Sequence, residues 1–490
     1  MAAYVSSSMK DRHILVPVVE DAFATVYVEI FPDSAMPVRL EGAADGGCIY
    51  YEPEVGAFGL SGNVYNFPFV LHSDGTPWIE VNSFLLAGMK DKSYLDRPSD
   101  DVRRDASELI EYLRFCESNG IDWTDFSGAR PIHRPTYRYF KHLVSDSGRG
   151  RSGINRYTGV VYRFYVHAAR YWIDLDIERV DTVTHYKQYV ASNNGAFLVD
   201  RYRRKLTVSV APSPTPDINT VRDDGEDLRP LNNQQFDSLR WALEQGGWHT
   251  QDRLIIEIAY MAGARKQTIL TLRLRHLEQM TEGNLRGDGT YALRVGPGSG
   301  VDTKKGKPQT IYIPKGLAAR LKLWAASKAA AIRRKKFIAN YEANGNGGGS
   351  IAERDIYLFL SNQGKTYYMA KDDPRYPFLK TVPVGQVTDY MTGRMRSMLS
   401  VLPKDFTFHW LRATFAYQLY QYLQLAVQKK LLAQTAVISI IQSRMAHAHR
   451  ETTENYLKLF TTDMGDLAVQ EGWEEWLMGS EGLGAGGAIQ

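Results

Sequence analysis

The side chains best suited to chemistry are cations in the second half of the chain. Arg265 follows a glycine turn in MAGARKQTILTLRLRHL, and Lys304 lies beside two other lysines in VDTKKGKPQTIYIP. His409 and Arg412 are three residues apart in FTFHWLRATFAYQL, a spacing that places both on one face of a helix. Arginine cannot lose its charge in proteins and binds two oxygens of an anion at once. The set therefore predicts a site for a phosphate group.

A candidate nucleophile follows these cations in the chain. Tyr456 comes nine residues after His447, in MAHAHRETTENYL. A tyrosine hydroxyl has a pKa of about 10 and is a weak nucleophile. Its attack on a phosphodiester becomes feasible where fixed cations stabilise the charge on the nonbridging oxygens, and where a lysine protonates the leaving 5′ oxygen. Covalent attachment to Tyr456 would store the energy of the broken bond, so rejoining needs no ATP.

In this order the motifs resemble those of the tyrosine recombinase family, the phage-integrase type, over roughly residues 230–460. The family pattern runs T-G-x-R, a hairpin lysine, H-x-x-R, and L-G-H followed by the tyrosine. The resemblance matches Arg265 to the first arginine, Lys304 to the hairpin lysine, His409 and Arg412 to the H-x-x-R pair, His447 to the later histidine, and Tyr456 to the nucleophile. It implies an enzyme that uses neither a metal ion nor a cofactor.

Three positions depart from the family pattern. Ala262 stands where the family has threonine, Thr268 where an acid is common, and Ala446 where the family has glycine. None of these changes removes a group that the family assigns to the phosphate. They indicate a divergent branch.

Several assignments have competitors. Lys305 and Lys307 share the turn of the favoured hairpin lysine, and His449 competes with the favoured histidine, although its spacing to the tyrosine does not fit the family. Taken singly, Arg265 is also compatible with a surface helix, and His409, between Phe and Trp, with a core position. The ordered set is far more specific than any of its members.

The elements that must position these residues follow from patterns along the chain. Residues 14–82 hold short β-branched and aromatic runs broken by Gly, Pro and Asp, which predict strands. Residues 98–206 read as helices with apolar steps of three and four, and the proline-rich stretch 207–229 predicts a linker.

The expected organisation is therefore multidomain. We expect a β-rich, acidic N-terminal domain of unknown role over 1–90, an all-α core-binding domain over 98–206, the linker over 207–229, a mainly α catalytic domain with a small β-hairpin over 230–460, and an acidic tail over 461–490. The resemblance implies a SAM-like fold for the second of these and the tyrosine recombinase catalytic fold for the fourth.

Charge is distributed unevenly around a formal net charge of +4. Residues 1–90 carry −7, whereas residues 131–170 carry +7 and interleave their cations with aromatic residues. That combination is typical of a surface that follows DNA phosphates, although a solvated basic face over an aromatic core is an equal alternative. The candidate DNA-binding residues are Arg134, Arg138, Lys141, Arg149, Arg151 and Arg156.

The remaining composition excludes several classes of protein. No apolar run approaches the ~20 residues of a membrane helix, and the N terminus lacks the apolar segment of a secretory signal. Two cysteines cannot build a disulfide framework or a four-ligand zinc site. We therefore expect a cytoplasmic, nucleoid-associated protein that does not bind a membrane.

The predicted function is cleavage and rejoining of double-stranded DNA at specific sites, for integration or excision of a mobile element. Recombination joins two duplexes, each bound by two protomers, so we expect a homotetramer on paired sites. The tail, with Trp473 and Trp476, could dock on a neighbouring subunit or fold back on its own domain. The alternatives are a type IB topoisomerase-like enzyme and a catalytically silent DNA-binding regulator.

Overall fold

A computed structural model describes most of the chain. The described residues are 12–23, 25–28, 38–40, 49–52, 62–92, 97–192, 195–209, 220–223, 226–343, 350–447 and 450–460. Two compact units divide the chain: unit 1 is Met1–Ser213 with Pro377–Lys380, and unit 2 is Pro214–Tyr376 with Thr381–Gln490. The tail over 461–490, including both of its tryptophans, lies outside the described residues.

Unit 1 begins with short antiparallel strands, as its β-branched runs predict. β1 (His13–Val19) pairs with β5 (Val64–Val70). β2 (Thr25–Val28), β3 (Val38–Leu40) and β4 (Ile49–Glu52) form a second sheet in the order β2-β4-β3.

A helix begins at the end of the stretch 14–82 that the sequence assigns to strands, and it occupies the end of the predicted β-rich domain over 1–90. Residues 73–76 do form a turn, closed by a hydrogen bond from the His72 amide to the Thr76 carbonyl. The chain then enters α1 (Ile79–Asp91) instead of a returning strand. The buried side chains of Val81, Leu85 and Met89 are four residues apart, a spacing that a helix brings to one face. The prediction of a purely β-rich segment was wrong here.

Four further helices complete the core of unit 1. They are α2 (Pro98–Ser118), α3 (Pro135–Ser145), α4 (Arg151–Tyr171) and the short α5 (Ile177–Val180). Pro98 suits the first turn of α2, where no backbone N–H is needed. One hydrophobic core joins β5 and α1 to these helices, with Trp78 and Phe164 fully buried in it. The predicted domain division between residues 90 and 98 therefore crosses a single core.

The prediction that residues 98–206 are all-α was wrong at their C-terminal end. β6 (Val183–Ser192) and β7 (Gly195–Arg204) form an antiparallel hairpin, with Val183 opposite Arg204. The sequence VTHYKQYV is rich in β-branched and aromatic residues, which favour strands. An Asn-Gly pair at 194–195 provides the signal for a tight turn. These local preferences outweigh the helical trend of the preceding segment.

Unit 2 is mainly helical. Before the hairpin it contains α6 (Asn233–Glu244), α7 (Thr250–Ala262), α8 (Lys266–Leu270) and α9 (Leu274–Glu278). The predicted hairpin is β10 (Thr290–Val295) and β11 (Gln309–Pro314), paired antiparallel. After it come α10 (Lys315–Ala326), α11 (Lys328–Ala343), α12 (Val387–Met398), α13 (Trp410–Gln428), α14 (Gln434–Met445) and a last helix, α15, over 450–460.

The core of unit 2 forms around α7 and α13, which pack against each other. The sequence LIIEIAYMA in α7 buries Leu254, Ile255 and Ile258 almost completely. Trp410 and Leu411 open α13 inside the same core. The end of α7, which precedes Arg265, and the start of α13, which carries His409 and Arg412, therefore both lie at this core.

Part of the predicted linker is ordered within unit 2. β8 (Val221–Asp223) and β9 (Glu226–Leu228) pair as a small hairpin, and Leu228 is fully buried in the core. A capping box between Asn232 and Gln235 then starts α6. Across the described ranges, no helix is both long and apolar enough for a membrane span.

Candidate active site

Arg265 lies in the tight connection between α7 and α8. Gly263 ends α7 with a φ of 63°, the left-handed conformation that a helix C-terminus commonly needs and that glycine adopts without strain. A Cβ atom at this position would clash with the Phe415 ring on α13. Two residues later, Arg265 occupies the N-cap position of α8 and is half-buried. The glycine thus lets the chain reverse so that Arg265 precedes a helix start.

Arg412 links the backbone segments that lead to two other site residues. It lies in the first turn of α13 and is 3% exposed. Its Nη1 donates to the carbonyl oxygen of Gly263, and its Nη2 donates to the carbonyl oxygen of Met445. Gly263 is two residues from Arg265, and Met445 is two residues from His447. One guanidinium therefore draws the ends of α7 and α14 together.

His409 lies at the N-cap of α13 and faces a carboxylate. Its Nδ1 is 3.8 Å from Oε2 of Glu226, and the Thr407 hydroxyl donates to the same oxygen at 3.2 Å. These contacts with His409, and secondarily with Thr407, lower the pKa of the Glu226 carboxyl. Nε2 of His409 is buried and has no hydrogen-bond partner among the described residues. The ring is thus oriented through one nitrogen, while the other remains available.

Glu226 was missed by the sequence analysis. It falls in the stretch that its proline content assigns to the linker, and no motif of the family points to it. Glu226 is the first residue of β9, and Leu228, the last residue of that strand, is buried in the core. This anchored strand holds Glu226 against the start of α13. A short acidic stretch between two predicted domains gives no local signal of such a contact.

A cavity of about 160 Å³ connects three of the predicted residues. Its lining includes Arg265, His409 and Arg412, together with Lys266 and the carboxylate of Glu226. Asp389 contributes a second carboxylate to the lining, so three permanent cations and His409 face two acids, and the arginines can bind an anion with several oxygens. Lys304, His447 and Tyr456 are not among its lining residues.

Lys304 is carried by the predicted hairpin, and that hairpin is fixed to α8. The loop between β10 and β11 contains a single turn of 3-10 helix at Lys304–Gly306, where Lys304 is half-buried and Lys305 and Lys307 are exposed. The Thr268 hydroxyl on α8 donates to the Asp302 carbonyl at 2.9 Å, and the Asp302 amide donates to the Thr271 hydroxyl at 2.9 Å. The helix that begins after Arg265 therefore holds the lysine loop in place.

These contacts explain one departure from the family pattern. Thr268, found where an acid is common, is fully buried and uses its hydroxyl to hold the hairpin. A short neutral side chain fits this buried position without the cost of burying a carboxylate.

His447 and Tyr456 contact each other directly. α14 ends at Ala446 with a φ of 49°, a conformation that favours glycine, which accounts for the family's preference there. His447 is the next residue and is buried. Its Nδ1 lies 3.0 Å from the Thr453 hydroxyl on α15. Its ring stacks on that of Tyr456 at a centroid distance of 5.3 Å and an angle of 24°. The structure thus brings the predicted histidine and tyrosine together.

Tyr456 is not accessible in this conformation. The residue is fully buried and packs against Phe460 as well as His447. A duplex cannot reach a residue that is closed to water, so attack on phosphorus requires the groups that cover Tyr456 to move away from it. His449, the competing histidine, lies outside the described residues.

The predicted DNA-binding residues divide into two groups. Three arginines of α4 and the loop before it pair with acids of α2: Arg149 donates to both oxygens of Glu111 at 2.6 and 2.7 Å, Arg156 pairs with Glu108, and Arg163 lies 3.3 Å from Asp105. The arginines are seven residues apart along the chain, and the acids that they pair with are three residues apart on α2. This ladder ties α4 to α2, and it neutralises Arg149 and Arg156 within the fold.

The other candidate cations have different surroundings. Arg134 donates to the backbone carbonyls of Gly128 and Arg179, at 3.2 and 3.3 Å, and Arg151 donates to the Ser209 carbonyl at 3.2 Å. Arg138 and Lys141 are exposed on α3. Arg151 and Arg156 are exposed as well.

Comparisons with known proteins find similarity at the level of structure. No family model matches the chain, and no curated protein matches its sequence. The chain is similar to the XerH site-specific recombinase in a post-cleavage complex with palindromic difH substrate, with 14% identity, 83% of this chain and 91% of that chain covered, and a TM-score of 0.39. It is also similar to the XerA recombinase, with 15% identity, 81% and 98% coverage and a TM-score of 0.28.

A further similar structure is the Tn1549 transposon integrase in complex with a circular intermediate DNA. Here the identity is 15%, the coverage is 77% of this chain and 94% of that chain, and the TM-score is 0.34. Identities and scores of this size assign no role to any residue of this chain. The chemical interpretation therefore depends on the side chains of the site itself.

Proposed function

We propose that this chain is a site-specific DNA recombinase or integrase of the tyrosine recombinase type. It cleaves and rejoins DNA through a 3′-phosphotyrosyl intermediate, for integration or excision of a mobile element. The observation that carries the proposal is the double hydrogen bond of Arg412 to the carbonyl oxygens of Gly263 and Met445, which ties the helix start that carries His409 and Arg412 to backbone two residues from Arg265 and from His447.

The cavity lined by the starts of α8, α12 and α13 is the proposed phosphate site. Arg412 lines this cavity and is held by its hydrogen bonds to two backbone carbonyls, so its charge has a fixed position there. Arg265 and Nε2 of His409 supply further donors at the same cavity. Donors fixed in advance stabilise the negative charge of the transition state without reorganisation during the reaction.

The covalent step uses Tyr456 and Lys304. As the tyrosine oxygen bonds to phosphorus, its proton passes to a water molecule, the bond from phosphorus to the 5′ oxygen breaks, and that oxygen receives a proton from Lys304, which solvent then reprotonates. The product is a 3′-phosphotyrosine and a free 5′ hydroxyl. Attack by a 5′ hydroxyl on the same phosphorus reverses both steps and rejoins the strand.

The burial of Tyr456 supports a requirement for assembly. A fully buried nucleophile cannot attack until the groups that cover it move away, and the tail over 461–490 follows α15 directly. In the proposed homotetramer on paired duplexes, docking of this tail on a neighbouring subunit would move α15. The chain would then cleave only when all partners are present.

The direct test is covalent trapping on a nicked suicide duplex. The duplex comes from repeats that flank the coding gene, and the reaction contains EDTA, since no step needs a metal. Wild-type protein should form an adduct that survives denaturing electrophoresis. Tyr456→Phe should bind the duplex and form none, because only the nucleophilic oxygen is lost. Tyr420→Phe is the matched control, since Tyr420 packs on Phe460 in the same core, and it should keep the adduct.

Two outcomes would favour the alternatives. Relaxation of plasmids that lack any recognition site, without exchange between sites, would indicate a type IB topoisomerase-like enzyme. Binding without an adduct from wild-type protein on every flanking repeat would indicate a regulator. An adduct that persists in Tyr456→Phe would show that another residue is the nucleophile.

A further inference from the structure

The hairpin of β6 and β7 in unit 1, residues 183–204, projects as an arm. Every side chain described from 184 to 189 and from 197 to 203 is exposed. These positions belong to both faces of the two-stranded sheet, since successive residues of a strand alternate between faces. Large apolar and aromatic groups are among them, with Tyr189 73% and Tyr202 66% exposed.

The base of the arm is firmly held. Arg204 donates to the Thr158 carbonyl on α4 at 2.8 Å and lies 3.5 Å from the buried carboxylate of Asp181. The Leu206 amide donates to the same carboxylate at 3.0 Å, and Leu206 is buried. The arm therefore extends from a rigid support and not from a loose loop.

An arm of this kind is incomplete without a partner. Two-stranded hairpins are only marginally stable in water, because they have no second layer to cover a face. Exposed aromatic groups in such numbers indicate an interaction surface. Tyr186 and Phe197 lie on one face, and Tyr189 and Tyr202 on the other, as the register of the strands requires.

Charge identifies the partner. The described arm has three exposed cations, Lys187, Arg201 and Arg203. Its one described acid is Asp200, which lies opposite Lys187. The described arm of a second copy would carry the same excess of cations and would repel this one, whereas duplex DNA presents a phosphate about every 1.7 Å. Ten-residue strands span about 33 Å, and the major groove, about 12 Å wide, admits a two-stranded β-ribbon.

We infer that the arm is a DNA-binding ribbon that enters a groove of the duplex. Its arginines and lysine bind phosphates, and its aromatic groups contact the floor or walls of the groove. This inference depends on the proposed function only in that the substrate is duplex DNA. It adds a contact separate from the phosphate cavity, and no residue of the active site takes part in it.

The test measures the salt dependence of binding to a fluorescent 60-bp duplex of arbitrary sequence, between 50 and 200 mM KCl. Arg201→Glu/Arg203→Glu should lower the magnitude of the log–log slope by about 1.8, since each lost phosphate contact accounts for about 0.9. Asp200→Lys should raise it by up to about 0.9 for one added contact. These opposite changes at neighbouring exposed positions separate a direct contact from damage to the fold, which far-UV circular dichroism checks.

The control is Lys404→Glu/Lys429→Glu, which makes the same change in net charge at exposed lysines of unit 2. An equal loss of slope in this control would overturn the arm contact. An unchanged slope in the arm variant would also overturn the arm contact. The proposed function would remain intact in that case, provided that the wild-type protein binds the duplex. If the arm variant instead changes the association state in analytical ultracentrifugation without DNA, the partner is a second copy. Wild-type protein that binds no duplex at all would refute the proposed function itself.

Discussion

Replacement of Arg412 should damage stability and catalysis together, whereas replacement of Arg265 should damage catalysis alone. Arg412 is buried and satisfies the carbonyl oxygens of Gly263 and Met445. In Arg412→Ala both carbonyls lose their donor inside the core. Each unsatisfied buried group costs about 1–3 kcal/mol, so the expected loss is about 2–6 kcal/mol. That is a large part of the ~5–15 kcal/mol by which a typical domain is stable.

Arg265→Ala provides the matched comparison. Arg265 is half-buried at a helix N-cap, so its removal should cost about 0.5 kcal/mol, as for substitutions near the surface. Its effect on single-turnover cleavage should nevertheless be about 100- to 1000-fold, the usual consequence of losing one preorganised donor to a developing negative charge. Arg412→Lys keeps the charge but has only one nitrogen for two carbonyls, and it should lie between the two variants in stability.

The assay is urea unfolding of each variant, followed by tryptophan fluorescence and circular dichroism, beside a single-turnover cleavage assay. The reasoning predicts a clearly lower midpoint for Arg412→Ala and a wild-type midpoint for Arg265→Ala. Equal midpoints for Arg412→Ala and wild type would refute the structural role of Arg412. A strong loss of stability in Arg265→Ala would show that the division between the two arginines is wrong.

Two further predictions concern the proton donor and the missed carboxylate. Lys304→Ala should block cleavage of an ordinary phosphodiester but not of one with a 5′-bridging sulfur, because the sulfur leaves without a proton. The control variants Lys305→Ala and Lys307→Ala, at exposed positions, should cleave both substrates. An equal loss of cleavage in all three variants would contradict the assignment of Lys304. Glu226→Gln should slow cleavage near neutral pH and change stability by less than about 1 kcal/mol, because the pair with His409 is half-exposed. His409 and Thr407 lower the pKa of Glu226, so the contribution of the Glu226 carboxylate to cleavage is fully present above the usual carboxyl pKa and is lost as pH falls through the lowered value. The pH profiles of wild type and Glu226→Gln should therefore converge on the acid side, and profiles that never converge would contradict this role.

The parts of the site that the sequence could predict are those with local signals. Gly263 before Arg265, the paired strands around Lys304 and the three-residue spacing of His409 and Arg412 all depend on short-range rules of turns, hairpins and helices. The roles expected of His447 and Tyr456 came from the resemblance, and the stacking of their rings is seen only in the structure. The structure brings each pair or turn to the expected element.

The parts that could not be predicted depend on contacts between distant segments. Glu226 meets His409 across 183 residues of chain, and the sequence around it reads as linker. The ion-pair ladder between α2 and α4 gives Arg149 and Arg156 acidic partners within the fold, which a count of charges cannot show. The arm at 183–204 was assigned to helices because the preceding pattern was extended too far, although its own alternation and Asn-Gly turn favour strands.

Identification of the residue that bonds to DNA tests the central claim most directly. After trapping on a suicide duplex in EDTA, digestion with trypsin and nuclease should release the peptide 451–458, ETTENYLK, whose only tyrosine is Tyr456. Mass spectrometry should find this peptide linked to a 3′ nucleotide through phosphate. An unmodified 451–458 peptide beside a nucleotide on any other peptide, or an adduct that forms only with added magnesium, would contradict the account.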